Sequence, residues 1–410
     1  MDRKLTRILE DWKAGGCRIG LVVNGCGRVG KTLAVEGFAL DAFDGYLRLD
    51  LSDPAVRGIF GGDIGADEVF GRIAGGFPGF EPVPGTLLFL DDVHLCPDAW
   101  AAIKPLVRDG RVAVVAACVC DPVIPWKDGR PARVTPMGYE IPHTLMPLDF
   151  EEFLWARKRD RRFTESIRRH VRDREPFGEA ELHVLNGLME EHMLIGGMPE
   201  MIASGVDASV STRLRRGILE DVSEFAPEDI RGRAYDLVSA SLDTCRPVVC
   251  GRKDRYILDW ISCSGLGTVC RSISGRRLPE LTEPDGQLRL YAVDTGLVID
   301  RRDDGLLREG YAATMISRCG LPVFDTAVWD ERCLITSIGG KTVAVDASAD
   351  GMDADALHGM ADRVVRLDGS DIHVDPDGTE HYPLFAAAFM DSMADEKRLP
   401  DVLETVPLDL

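Results

Sequence analysis

The chain lacks the cysteine pattern of a disulfide scaffold or a zinc protein. Its eleven cysteines form no C-x-x-C pair, the count is odd, and Cys118, Cys120, Cys250 and Cys270 lie inside apolar runs. There they read as small hydrophobes in a reducing compartment. The eight histidines show no H-x-x-x-H spacing with cysteines nearby, so no metal cluster is expected of them. No apolar run is long enough to cross a bilayer; the longest, such as Val112 to Cys120, have strand length. Met1 to Lys13 reads as an amphipathic helix and not as a signal peptide. A cytoplasmic protein without membrane contact is the expectation. Positive charge is also short. The 48 Lys and Arg face 68 Asp and Glu, for a net charge of −20. Residues 301–410 hold 10 basic and 22 acidic side chains, a balance of −12, leaving −8 for the first 300. Such a surface repels a nucleic-acid backbone, so a nucleic-acid partner is disfavoured. One basic island runs against this trend: Arg157 to Arg174 has nine Lys and Arg against three acids. It reads as a solvated helix or a docking face for a protein partner that the sequence does not name, with a phosphate contact as the sharper alternative.

What is present begins with Gly25-Cys26-Gly27-Arg28-Val29-Gly30-Lys31-Thr32, a complete G-x-x-x-x-G-K-T run. A β-like stretch, Ile19 to Val23, precedes it and a helix-like stretch, Leu33 to Leu40, follows. Glycines let backbone wrap a phosphate with its N–H groups inward, and the following helix adds the positive end of its dipole. The expected binding residues are Gly25, Gly27, Arg28, Val29, Gly30, Lys31, Thr32 and Leu33. Lys31 would hold the outer phosphates, and Thr32 would place its hydroxyl on Mg2+. A second run, Thr86 to Leu90, is continuously apolar, as a buried parallel strand should be, and ends in Asp91-Asp92. Asp91 is the expected second metal ligand beside Thr32. Asp92, near the attacking water, joins Lys31 as an expected catalytic residue.

A length of 410 residues suggests two or three domains. The first 155 alternate strands and helices, implying a parallel sheet covered on both faces. Strands are expected at 18–23, 46–50, 86–90, 111–119 and 143–148, with a Pro- and Gly-rich loop at 121–142. From 156 to about 225 the pattern is helical, broken at Gly196-Gly197-Met198-Pro199. Residues 230–285 read as short helices and turns, a small winged-helix-like unit. Strand-like runs return at 288–293, 334–338, 342–345 and 363–367, giving a separate α/β domain. The expected segments are therefore 1–155, 156–287 and 288–410, with a loosely held tail after Pro400. Gly296, in the turn Asp294-Thr295-Gly296, is expected to supply a positive φ.

Several stretches together resemble one family. They are Gly25 to Thr32, Leu88 to Pro97, Ala102 to Lys104 with Leu106 to Arg111, Met146 to Trp155, Gly196 to Pro199 and Tyr291 to Leu297. In this order they resemble prokaryotic AAA-type (AAA+) P-loop ATPases that carry a C-terminal domain like the PD-(D/E)-x-K nucleases. The resemblance implies an α/β fold: a P-loop parallel sheet with a helical lid, a small winged-helix-like unit and a nuclease-like α/β domain. It also implies ATP with Mg2+ as the ligands. An oligomer stays open, because such proteins often complete a site with a neighbour's arginine. Here the family's glycine–arginine pair reads Gly138-Tyr139.

The departures from the family weaken one half of the chemistry. Family members read D-E-[IV]-Q where this chain has Asp91-Asp92-Val93-His94, so the Asp92 carboxylate has a shorter reach. A displacement on the order of 1 Å can cost about a hundredfold in rate. The polar sensor after the next strand is replaced by Ala116-Ala117-Cys118. The nuclease places hold Thr314, Cys333 and Ala344-Val345-Asp346, so phosphodiester cleavage is not expected. The expectation is ATP binding with slow hydrolysis, with a nucleotide-gated binding module as the alternative and a DNA-associated protein as a weaker third.

Overall fold

In the computed structural model, residues 2–62, 65–120, 126–127, 130–131, 138–273, 287–328, 331–348 and 351–394 are described. The tail after Pro400 and most of the loop at 121–142 lie outside them. The chain divides into two compact units. The first comprises Met1–Leu145, Glu220–Arg231 and Cys263–Gly265; the second comprises Met146–Leu219, Gly232–Ser262 and Leu266–Leu410.

The first unit is built on a five-stranded parallel sheet. Its strands are β1 (Gly20–Asn24), β2 (Gly45–Asp50), β3 (Thr86–Asp91), β4 (Ala113–Ala117) and β7 (Glu140–Thr144), in the order β2-β3-β4-β1-β7. Two short strands, β5 (Trp126–Lys127) and β6 (Arg130–Pro131), pair only with each other. Every residue of β1, β3 and β4 is buried, as a sheet covered on both faces requires. Leu49, Phe60, Phe70, Leu88, Leu90, Ile103, Leu106 and Val114 fill the core on one face. The N-terminal helix Lys4–Ala14 buries Leu5, Leu9 and Trp12, the spacing of one helical face. The last strand falls earlier than the expected 143–148. Pro142 sits within it, and a missing N–H is tolerated because β7 is an edge strand. Beyond Thr144 one more sheet bond forms, Leu145 N–H to Asn24 O at 2.8 Å.

The second unit combines helices with a nine-stranded mixed sheet. The strands are β8 (Val248–Cys250), β9 (Gly267–Ser272), β10 (Leu288–Ala292), β11 (Phe324–Val328), β12 (Glu331–Ile338), β13 (Lys341–Asp346), β14 (Arg363–Leu367), β15 (His373–Val374) and β16 (Glu380–Tyr382). Their order is β15-β16-β14-β13-β12-β11-β9-β10-β8. The stretch read as short helices and turns also contributes β8 and β9, which flank β10. Helix Phe150–Ala156 starts on a capping box: Asp149 Oδ1 accepts the Glu152 N–H at 2.9 Å, and the Glu152 carboxylate reaches back.

Two family-like motifs meet inside this unit. Asp294 accepts the Gly197 N–H at 2.6 Å and the Gly296 N–H at 2.8 Å. A Cβ on Gly197 would lie 2.0 Å from Leu148 O, and one on Gly296 would lie 2.2 Å from Ile195 O. Gly296 is therefore required for close backbone approach and does not adopt the positive φ expected of it; Gly196, at φ 76°, does. The basic island is partly internal scaffolding. Arg168 pairs with Glu151 and Asp391, Arg157 with Glu191, and Arg174 with Glu380. No helix among the described residues is long and apolar enough to cross a membrane.

Candidate nucleotide site

The phosphate-loop residues fold as their types dictate. Gly25 turns the chain out of β1 at φ 144°, where a Cβ would lie 2.3 Å from Leu145 O. Gly30, at φ 100°, is the N-cap of helix Lys31–Ala42, and no side chain caps that helix. Its first N–H groups therefore form an anion-attracting end. Arg28 is exposed and takes φ 63°, while Val29 packs in the core. The Lys31 side chain is buried and curls over the loop, donating to Gly25 O at 2.9 Å and Cys26 O at 2.8 Å. Leu33 sits in the first helical turn with its side chain 75% exposed, which leaves its backbone N–H as the group on the loop side.

Strand β3 delivers Asp91 to the same place. Thr32 Oγ1 donates to Asp91 Oδ2 at 3.0 Å, so the two expected metal ligands are neighbours. Two oxygens at that separation match adjacent corners of an octahedron with bonds of about 2.0–2.1 Å, the geometry Mg2+ demands. A positive charge already lies there: Arg48 Nη2 is 2.8 Å from Asp91 Oδ2. Burial raises the Asp91 carboxyl, and Arg48 and Thr32 oppose that rise. The donor set fits a magnesium ion, which would have to compete with the Arg48 guanidinium for this carboxylate.

Asp92 follows in the left-handed region at φ 55° and precedes a short 3-10 turn, Val93–Leu95, without a side-chain cap bond. Burial raises its carboxyl, and the Asp91 charge adds to the rise. His94 is held structurally. Its Nδ1 accepts the Val119 N–H at 3.3 Å, and its ring stands edge-on to Phe225 with centroids 4.5 Å apart. Burial brings its pKa down to about 4, so the imidazole is neutral near pH 7. Ala116, Ala117 and Cys118 are buried and present no hydroxyl or amide side chain to the site.

Three residues here belong to none of the sequence motifs. Arg3 is buried and donates from Nη1 to Val29 O at 2.8 Å, tying the N-terminal segment to the loop. Arg48 was visible as a lone cation in the apolar strand Tyr46-Leu47-Arg48-Leu49. Asp221 gave no local signal. It lies near the end of helix Ala208–Phe225, in the part that belongs to the first unit. Its carboxylate accepts the Gly27 N–H, and a Cβ on Gly27 would fall 2.3 Å from its Oδ2. Burial pushes its pKa up to about 6, although Lys31 pulls it down. An anionic side chain thus lies against the loop whose glycines suit a phosphate.

No curated protein matches the chain at a significant level. Among solved structures, a Walker-type ATPase of Pyrococcus abyssi is similar at 12% identity and a TM-score of 0.32, over 75% of this chain and 95% of that one. A Signal Transduction ATPase with Numerous Domains protein of Pyrococcus horikoshii, with a tetratricopeptide repeat sensor, is similar at 13% identity and a TM-score of 0.27. That match covers 78% of this chain but only 45% of the other, and at such scores neither neighbour's chemistry carries over. Residues 18–154 match a family described as an AAA domain, which supports an AAA-type nucleotide-binding domain in this part of the chain.

Proposed function

We propose that the chain binds ATP with Mg2+ at the loop Gly25–Thr32 and hydrolyses it slowly, coupling occupancy to a change that acts on a protein partner. The observation that carries this reading is the buried Lys31 ammonium beside an uncapped helix start, with Thr32 and Asp91 in contact. In it Lys31 holds the outer phosphates, the N–H groups from Gly27 to Leu33 line the phosphate chain, and Thr32 and Asp91 hold the metal. Magnesium, when bound, neutralises charge on the outer phosphates. Asp92 orients the attacking water from a short side chain, which is why turnover is slow. The test pairs two measurements on the full-length protein. ATP with Mg2+ raises the melting temperature, and phosphate appears at a low but Mg2+-dependent rate. No thermal shift at millimolar ATP would sink the reading.

A second reading, a nucleotide-gated binding module without useful turnover, is favoured by Asp221 and Arg48. Each occupies with protein charge a place that nucleotide or metal would claim: Asp221 against the Gly27 N–H, Arg48 on Asp91. Phosphate release at background despite saturable ATP binding would select it. We propose that residues 288–410 are nuclease-like in fold and inert in cleavage. Thr314 bonds back to Gly310 O at 2.8 Å, Cys333 is buried, and Asp346 accepts the N–H groups of Ser348 and Met352.

A further inference from the structure

The terminal hairpin of the second sheet gathers a second set of ligand-type side chains. Strands β15 and β16 are antiparallel, with His373 directly opposite His381 and Val374 opposite Glu380. Cross-strand partners share a face, and so does a residue two positions along, which is Asp375. One nitrogen of each histidine and one Asp375 oxygen lie within 4.8 Å of one another. The turn between the strands is closed by Asp375 N–H to Thr379 O and Gly378 N–H to Asp375 O, both at 2.9 Å. The three groups are thus set on a short, tied hairpin.

The tautomers give the cluster its meaning. His381 Nδ1 is 2.6 Å from Asp368 Oδ2, and a carboxylate can only accept, so Nδ1 carries the proton. His373 Nδ1 is 2.8 Å from the Asp371 carbonyl oxygen and carries a proton for the same reason. Each ring thus turns its Nε2 toward the cluster: His381 Nε2 lies 3.1 Å from Asp375 Oδ2, and His373 Nε2 lies 3.8 Å from Asp375 Oδ1. The imidazoles stack at 4.2 Å with planes 12° apart, so both nitrogens flank the same carboxylate. One divalent cation can take all three groups as ligands at once. The Nδ1–carboxylate and Nδ1–carbonyl bonds are the outer-shell contacts that orient metal-bound histidines.

We propose that His373, Asp375 and His381 bind a first-row divalent transition metal, with Zn2+ as the representative ion, pinning the β15–β16 hairpin. Two imidazoles and one carboxylate suit such an ion and leave a position for water. Bonds of about 2.0–2.2 Å place ligands roughly 3.4 Å apart, so the set must close by on the order of 1 Å. His373 is exposed and has room to make that movement. The hairpin is the edge of the sheet, where two-residue pairing alone holds weakly.

The site is independent of the nucleotide reading, and its test keeps the two apart. Chelator-treated, nucleotide-free full-length protein is titrated with Co2+, followed by visible absorption, and with Zn2+, followed by calorimetry. One saturable equivalent is expected, with nitrogen–oxygen ligand-field bands and a raised melting temperature. Asp375→Asn and His373→Ala, both on the accessible side of the cluster, should each weaken binding ~10-fold or more. Lys31→Ala should bind as the wild type does. Absence of a saturable equivalent, unchanged affinity in both hairpin variants, or bands of cysteine thiolate ligation would each overturn the proposal.

Discussion

The phosphate loop and the end of strand β3 lie side by side yet are built on different principles. The loop is defined by backbone: Gly25 and Gly30 hold positive φ, and Gly25 and Gly27 leave no room for a Cβ. Its lysine donates to two loop carbonyls. The strand end is defined by side chains whose charges are already answered, Asp91 by Arg48 and Thr32. Its neighbour Asp92 carries one methylene less than the glutamate of the family it resembles, and His94 is tied into packing. Geometry set by backbone depends little on side-chain identity, whereas geometry set by side chains depends on it directly. That contrast is why affinity without speed is the expected phenotype.

Breaking the loop should have the largest effect. Lys31→Ala removes a buried charge-assisted contact and should weaken ATP by about 100-fold or more, as calorimetry would show. A variant that still bound ATP normally would erase the distinction between the two regions. Asp92→Glu tests the other side: restoring reach should raise single-turnover phosphate release by roughly 10-fold or more with affinity unchanged. An unchanged or lower rate would mean that carboxylate length is not what limits turnover. Asp221→Asn should tighten ATP by about 10-fold, because a like charge beside the phosphates is removed. Weaker binding in that variant would instead make Asp221 a support of the loop.

A smaller effect concerns pH. The Asp221 carboxyl is raised from 3.8 to about 6. Its contribution to stability is therefore full below the unfolded value and is lost as pH rises through about 6. ATP affinity should correspondingly gain a few-fold as pH falls through about 6, relative to the same titration of Asp221→Asn. Identical pH profiles for the two proteins would count against it. Smallest of all, His94→Asn should change turnover by less than about threefold while lowering stability by about 1 kcal/mol, since a packed neutral ring is lost.

What could be read from the sequence was what is local. The run from Ile19 to Leu40 declares strand, loop and helix through residue types that act within a few positions of each other. Thr86 to Asp91 announces a buried parallel strand by unbroken apolarity. Arg3 and Asp221 reach the loop, and Arg48 reaches Asp91, only through the fold, from 26 residues away in the case of Arg3 and Val29. The turn at Gly296 suggests a positive φ, but the constraint there comes from Ile195, on a distant helix. H-x-x-x-H spacing reports histidines on one helix face, whereas His373, Asp375 and His381 converge by strand alternation and cross-strand pairing. Periodicity shows a face of one element. It does not show which faces meet.

Hydrogen–deuterium exchange across residues 24–34, with and without ATP and Mg2+, tests the central claim most directly. The account predicts that amides from Gly27 to Leu33 become protected on addition of nucleotide, and that Lys31→Ala abolishes this protection. Unchanged exchange in this segment at saturating nucleotide, or equal protection in Lys31→Ala, would contradict it.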